Sequence, residues 1–161
     1  MYTVHAQQQV CVHASCAQVF AVLTDYEHYA DMFAQVRAVE VHSRDEGVCR
    51  VTLTVDLLVH LQFTLRLVED SPVSLRWTLA DANLVRQMNG SWTLTSAGDA
   101  RTCVATYALE VKLAGQIPRA VERRLVTQAL PEMLECLRCC AEARGAHDAA
   151  RSVAAPGPSI C

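Results

Sequence analysis

The stretch CRVTLTVDLLVHLQFTLRL, residues 49–67, decides how this chain folds. Every odd position in it is apolar: Cys49, Val51, Leu53, Val55, Leu57, Val59, Leu61, Phe63, Leu65 and Leu67. The even positions, Leu58 apart, are polar: Arg50, Thr52, Thr54, Asp56, His60, Gln62, Thr64 and Arg66. Strand side chains alternate between faces, so a strict period of two means extended chain with one buried face. As one strand the run would reach about 60 Å at ~3.3 Å per residue, too long for a domain of 161 residues. It must double back near residues 57–60, and a three-residue turn would keep the alternation in phase. No Gly or Pro marks that turn.

The same period recurs on either side. Residues 36–43 form a strand that ends at the turn Asp45-Glu46-Gly47. Val73, Leu75, Trp77 and Leu79 alternate after Asp70-Ser71-Pro72. Met88, Gly90, Trp92 and Leu94 alternate before Ala97-Gly98-Asp99, and Cys103, Ala105, Tyr107, Leu109, Val111 and Leu113 after it. Near the start, Val4, Ala6, Val10 and Val12 share a phase that Gln8 interrupts. Seven strands joined mostly by short turns make an antiparallel meander. Ser15 is placed to cap a helix carrying Val19, Phe20 and Leu23; a second short helix, with Tyr26, Tyr29, Met32 and Phe33, follows a break near Asp25. Pro118 opens a long helix to Arg144 with Val121, Leu125, Ala129, Met133, Leu137 and Cys140 at helical spacing. Pro131 predicts a kink within it and Gly145 its end. The expected organisation is one domain over 1–145 and a disordered tail over 146–161, rich in Ala, Pro and Gly.

Composition sets limits. Hydrophobic residues make up 52% of the chain but aromatics only 6%, so aliphatic side chains carry the core. A formal net charge of −3 gives no general attraction to DNA. Residues 1–10 lack a basic segment followed by an apolar one, and no apolar run approaches the ~20 residues of a membrane span, so a cytoplasmic location is expected. In a reducing compartment the eight cysteines read as free thiols. Cys136 and Cys139 form a Cys-x-x-Cys beside Cys140, but no second ligand pair accompanies it, so no metal site is expected. The six histidines make no triad or metal spacing, and no cofactor motif is present.

The order strand, two helices, six strands, long helix is that of the α+β helix-grip fold. The segment VFAVLTDYEHY from Val19 to Tyr29 resembles the first-helix region of the SRPBCC, or START-like polyketide cyclase, superfamily. Asn89-Gly90-Ser91-Trp92, residues 111–118 and Leu130-Pro131-Glu132-Met133-Leu134 are similar to later landmarks of that group. The likeness spans roughly residues 3–143 and is nearest to the bacterial branch of coenzyme-Q-binding and ribosome-associated-toxin proteins. It implies a seven-stranded bent sheet wrapped around the C-terminal helix, enclosing an apolar cavity. Leu53, Phe63, Trp77, Met88, Trp92 and Tyr107 would line it from the sheet, and Leu125 and Met133 from the helix. Asp25, Tyr26 and Tyr29 would border its mouth, as a gate or headgroup contact or as a packing cluster at the helix break.

The expected function is binding or transport of a hydrophobic small molecule, such as a lipid, isoprenoid quinone or polyketide-like ring, without a cofactor. A ribosome- or protein-binding regulator of the toxin type is one alternative. Lys112, Arg119, Arg123 and Arg124 form the basic cluster that could meet phosphate, or simply a solvated face. A cyclase or dehydratase is the other; it would need converging acid and base groups, and no such pair stands out.

Overall fold

In the computed structural model the chain runs β1 (Tyr2–Val12), α1 (Cys16–Leu23), a 3-10 turn (Tyr26–His28) and α2 (Tyr29–Met32). Six strands follow: β2 (Val36–Asp45), β3 (Val48–Asp56), β4 (His60–Asp70), β5 (Ser74–Ala82), β6 (Val85–Ser96) and β7 (Cys103–Leu113). A long helix closes the chain in three parts: α3 (Arg119–Arg124), a π-helical turn (Leu125–Ala129) and α4 (Leu130–Arg151). The structure describes residues 2–115 and 117–151. The strands form one antiparallel sheet in the order β1-β7-β6-β5-β4-β3-β2, a meander whose last strand pairs with its first. This is the α+β helix-grip architecture that the element order predicts.

The doubling back falls at Leu57-Leu58-Val59, between the paired residues Asp56 and His60. It is a three-residue turn, so Cys49 to Leu67 keep one phase across it. Leu58 itself takes the left-handed conformation, φ 69°, and is 64% exposed. A glycine usually fills such a position because a Cβ is disfavoured there. Glu46 and Gly47, also at positive φ, make the two-residue turn between β2 and β3.

Curvature comes from irregularities in the pairing. One extra residue stands in the ladder at Arg37 and at His42 in β2, at Ala80 in β5 and at Arg86 in β6. Each bulge bends its strand and sharpens the twist. The bulge at Arg86 also shifts phase, so that Val85 and Met88 are buried on the same face. Val73, expected to begin β5, instead lies in the preceding turn and is 51% exposed; its N–H bonds the Asp70 carbonyl at 2.8 Å.

Ser15 caps α1 as expected, in a reciprocal pair with Gln18: Gln18 N–H donates to Ser15 Oγ at 3.1 Å and Ser15 N–H to Gln18 Oε1 at 2.9 Å. The long helix differs from expectation in two ways. Pro131 is accommodated by the π-helical turn just before it. Leu130 N–H reaches the Leu125 carbonyl, an i to i−5 bond. The next such bond would run from residue 131 to Val126, but proline has no N–H. Gln8 supplies the missing donor, its Nε2 meeting the Val126 carbonyl at 3.3 Å. The interruption in the apolar phase of β1 is therefore a cross-brace to the helix. The extra residue of the π turn also rotates the buried face by one position. Leu130, Leu134, Leu137 and Ala141 are buried, while Met133 and Cys140 are only partly so.

The second difference is Gly145, which does not end the helix; α4 continues to Arg151. A Cβ at residue 145 would come within 3.2 Å of Gln18 Oε1, so the glycine permits close approach to α1. The rest of the expected tail, 152–161, lies outside the described residues. Cys16, Cys49, Cys103, Cys136, Cys139 and Cys140 are free thiols. Cys11 is disulfide-bonded, which corrects the expectation for that residue; Cys161 lies outside the described residues.

Candidate functional site

The inward face of the sheet and the helix do not meet everywhere. Between them lies a cavity of about 170 Å³. From the sheet, Leu53, Phe63, Trp77, Met88, Trp92 and Tyr107 line it; from the helix, Leu125 and Met133. The structure thus brings together all eight residues expected to form the lining. Leu23, Phe33, Gln35 and Ala129 also line it, with further aliphatic side chains of β3 to β7. No Asp, Glu, Lys, Arg or His is among the described lining residues.

An aromatic cluster forms one end. The Tyr107 ring sits 5.6 Å from Trp77 and 4.9 Å, edge to face, from Trp92. These offsets suit the ring quadrupoles. Gly90 pairs directly with Trp77 across the sheet, and a Cβ there would overlap the Trp77 indole. Trp77 thus lies over the one inward position of β6 that has no side chain.

Three tyrosines supply the hydroxyl groups. Tyr26, fully buried, donates to Glu69 Oε2 at 2.6 Å. The Cys49 thiol donates to the same oxygen at 3.2 Å. The Arg44 guanidinium lies 5.1 Å from the Tyr26 ring centre and pairs with Glu27. Tyr29 donates to the Leu23 carbonyl. The Tyr107 hydroxyl has no hydrogen-bond partner among the described residues. Burial pushes all three phenols above their ordinary value, for Tyr26 reinforced by the bond to Glu69. Burial, and then the bond to Glu69, push the Cys49 thiol up to about 11. These groups stay protonated near neutral pH, so they can donate hydrogen bonds but not act as bases.

The residues at the helix break divide. Tyr26 and Tyr29 line the cavity wall. Asp25 does not; its carboxylate turns away to Arg144 Nη2 on α4, at 2.6 Å, and to His28 Nδ1, at 2.7 Å. Burial opposes ionisation of Asp25, but the bonds to His28 and Arg144 outweigh it and hold its carboxyl below the ordinary range. Asp25 is a clamp between the helix break and the C-terminal helix. Glu69 was not among the expected site residues, although it continues the odd, inward phase beyond Leu67. In the basic cluster, Lys112 lies on β7, and Arg119, Arg123 and Arg124 on α3; Arg119 pairs with Glu122 at 3.7 Å. No group of three metal-binding side chains gathers, and no helix is long and apolar enough to cross a membrane, among the described residues.

Comparison with known proteins decides the family. The model of the polyketide cyclase/dehydrase and lipid transport family matches residues 12–138. The chain belongs to that family. Solved structures share the fold. ZhuI aromatase/cyclase from Streptomyces sp. R1128 has a TM-score of 0.78 at 23% identity, over 89% of this chain and 96% of that one. A START superfamily protein from Mycobacterium smegmatis has a TM-score of 0.69 at 15% identity, over 89% and 97%. A Thermus thermophilus protein has a TM-score of 0.72 at 17% identity, over 89% and 98%. No sequence among the curated proteins matches.

Proposed function

We propose that this member of the family binds a neutral, largely apolar small molecule in its cavity and carries out no chemistry on it. The observation that carries this reading is the lining itself: aliphatic and aromatic apart from Gln35 and two methionines, without a charged side chain among the described residues. General acid–base catalysis needs a group whose pKa lies near the working pH. The three phenols are all pushed the other way. What the site offers instead is hydrogen-bond donors in an apolar setting, the Tyr107 hydroxyl and the indole N–H groups of Trp77 and Trp92 among them. A ligand carbonyl, such as either one of a quinone or that of a polyketide-like aromatic ketone, would satisfy the Tyr107 hydroxyl.

Size supports the lower end of that range. Pockets for drug-sized ligands are ~300–1,000 Å³, whereas an apolar cavity of ~150 Å³ takes up benzene. At about 170 Å³ the space suits one or two fused rings, or a quinone head group with its tail directed outward.

The two tryptophans of the chain both line the cavity, so their fluorescence reports on it directly. Titration with 1,4-naphthoquinone is expected to quench that emission saturably. Ala129→Leu, which fills part of the cavity, should weaken the quenching, and Tyr107→Phe should weaken it without a fall in thermal stability. Linear, unsaturable quenching, unchanged in both variants, would overturn the reading. Conversion of the quinone or of a polyketide-like ketone by purified protein would move the assignment to an enzyme.

A further inference from the structure

Away from the cavity, two thiols meet. Cys16 is the first residue of α1, directly after the Ser15 cap, and Cys103 is the first residue of β7. Their sulfur atoms lie 3.2 Å apart although the residues are 87 apart in sequence. Cys103 is fully buried; Cys16 is half-buried, with the hydroxyl of exposed Ser96 3.8 Å from its sulfur. We propose that Cys16 and Cys103 form a redox-active dithiol, which a low-molecular-weight disulfide such as oxidised glutathione converts to an intramolecular disulfide tying α1 to β7.

The geometry needs little change. A disulfide bond is ~2.05 Å long, so the sulfurs must close by roughly 1 Å, within reach of side-chain rotation in a half-buried residue. The environment assigns the order of events. Cys16 is half-buried at the start of α1 and can be reached from solvent, whereas Cys103 is fully buried. Burial, and then the contact with Cys16, push the Cys103 thiol up to about 12, so it does not react first. The Cys16 thiolate attacks one sulfur of oxidised glutathione. A Cys16–glutathione bond forms, the glutathione disulfide breaks and one glutathione thiolate leaves. Cys103 then attacks the Cys16 sulfur, losing its proton as it does so; the Cys16–Cys103 bond forms and the second glutathione thiolate leaves. Two protein thiols are oxidised, one glutathione disulfide is reduced, and the two thiol protons end on the two glutathiones.

The product would join the first turn of α1, whose far end carries Leu23 into the cavity wall, to the strand that carries Tyr107. The bond closes a long loop of chain, the case in which a cross-link restricts the unfolded state most.

The test uses the full chain. Protein is incubated with oxidised glutathione, free thiols are blocked with N-ethylmaleimide, and tryptic peptides are analysed without reduction. Expected is a cross-linked species that contains peptides 1–37 and 102–112, together with the peptide bonded to Cys11, with fragment ions placing one bond at Cys16 and Cys103. It should be absent from Cys16→Ser and from Cys103→Ser. The melting temperature of the wild type should rise by roughly 5–10 °C on oxidation and fall back on reduction. Neither variant should show the rise. Glutathione retained on Cys16, with Cys103 still alkylated after unfolding, would overturn the proposal. So would an unmodified Cys16 under conditions in which the exposed Cys139 is glutathionylated. The fragment ions assign the bond in the wild type even where a variant folds poorly.

Discussion

Replacing Gly90 by alanine adds one methyl group, and the structure assigns the result a sign. Gly90 has no unusual backbone conformation to protect, since its φ is not positive. In an ordinary strand interior, alanine in place of glycine stabilises by roughly 0.5–1 kcal/mol, because less backbone entropy is lost on folding. Here the added Cβ would lie only 2.2 Å from Cε2 and Cζ2 and 2.4 Å from Nε1 of the Trp77 indole, far inside contact distance. Trp77 is 7% exposed and stacked toward Tyr107, so it can yield only into the cavity. Overpacking of that kind costs about 1–3 kcal/mol. The expected outcome is a net loss of about 1–2 kcal/mol, or roughly 2–8 °C in melting temperature for a domain of this length. Thermal unfolding followed by circular dichroism measures it. Trp77→Leu removes the obstacle, so adding Gly90→Ala to that background should cost nothing or stabilise slightly. An increase in melting temperature for Gly90→Ala alone, or an equal loss in both backgrounds, would refute the argument that Trp77 occupies the face of Gly90.

Three further outcomes follow from the same packing. Trp92→Ala should lower stability by roughly 3–5 kcal/mol, the range for large aromatic truncations in cores, read as a shift in denaturant midpoint; a change under ~1 kcal/mol would put the register of β6 in doubt. Gln8→Leu should cost about 1–3 kcal/mol by leaving the Val126 carbonyl without its donor, whereas Gln7→Leu on the opposite face of β1 should not. The clamp at Asp25 should depend on pH. Its carboxyl is held below the ordinary value of 3.8, so its contribution is present above that pH and lost as pH falls through the folded pKa. His28 is raised above 6.5, chiefly by its bond to Asp25, so its contribution is present below 6.5 and lost as pH rises through the folded pKa. Wild-type protein should therefore lose its melting-temperature advantage over His28→Ala as pH rises above 6.5; a constant difference up to about pH 9 would contradict this.

The fold was legible because its signal was redundant. Ten odd positions between Cys49 and Leu67 all demanded one buried face, and the three-residue turn followed from keeping them in phase. The turn could not be placed from composition, because a leucine rather than a glycine holds the left-handed position. The bulges were equally silent: Arg37, His42, Ala80 and Arg86 carry ordinary side chains, and the extra residue shows only once the partner strand is known. Pro131 announced a disturbance in the helix but not its form. A π turn, unlike a simple kink, moves the buried face from Met133 to Leu134. Phase showed which sheet positions face inward, as both Trp77 and Trp92 share theirs with aliphatic neighbours, but the expectation that a cavity lies among them came from the family resemblance. Gln8 and Glu69 also sat in inward phases, and a polar residue in such a place signals a partner. Those partners, Val126, Tyr26 and Cys49, come from distant chain segments. The partner of Asp25 was out of reach for the same reason, since Arg144 lies 119 residues away.

The pairing of the first strand with the last has a consequence for how the chain reaches this state. β2 to β7 can zip together as successive hairpins, each using neighbours only a few residues away. β1 must wait: Tyr2 pairs with Leu113 and Val12 with Cys103. Contacts of such separation slow folding, because the chain between them must be ordered before they form. During synthesis the amino-terminal segment therefore leaves the ribosome roughly a hundred residues before its partner, at several seconds of elongation. The helix that covers the sheet emerges later still. Until then the apolar face of the meander, which α4 eventually covers, is open to other chains.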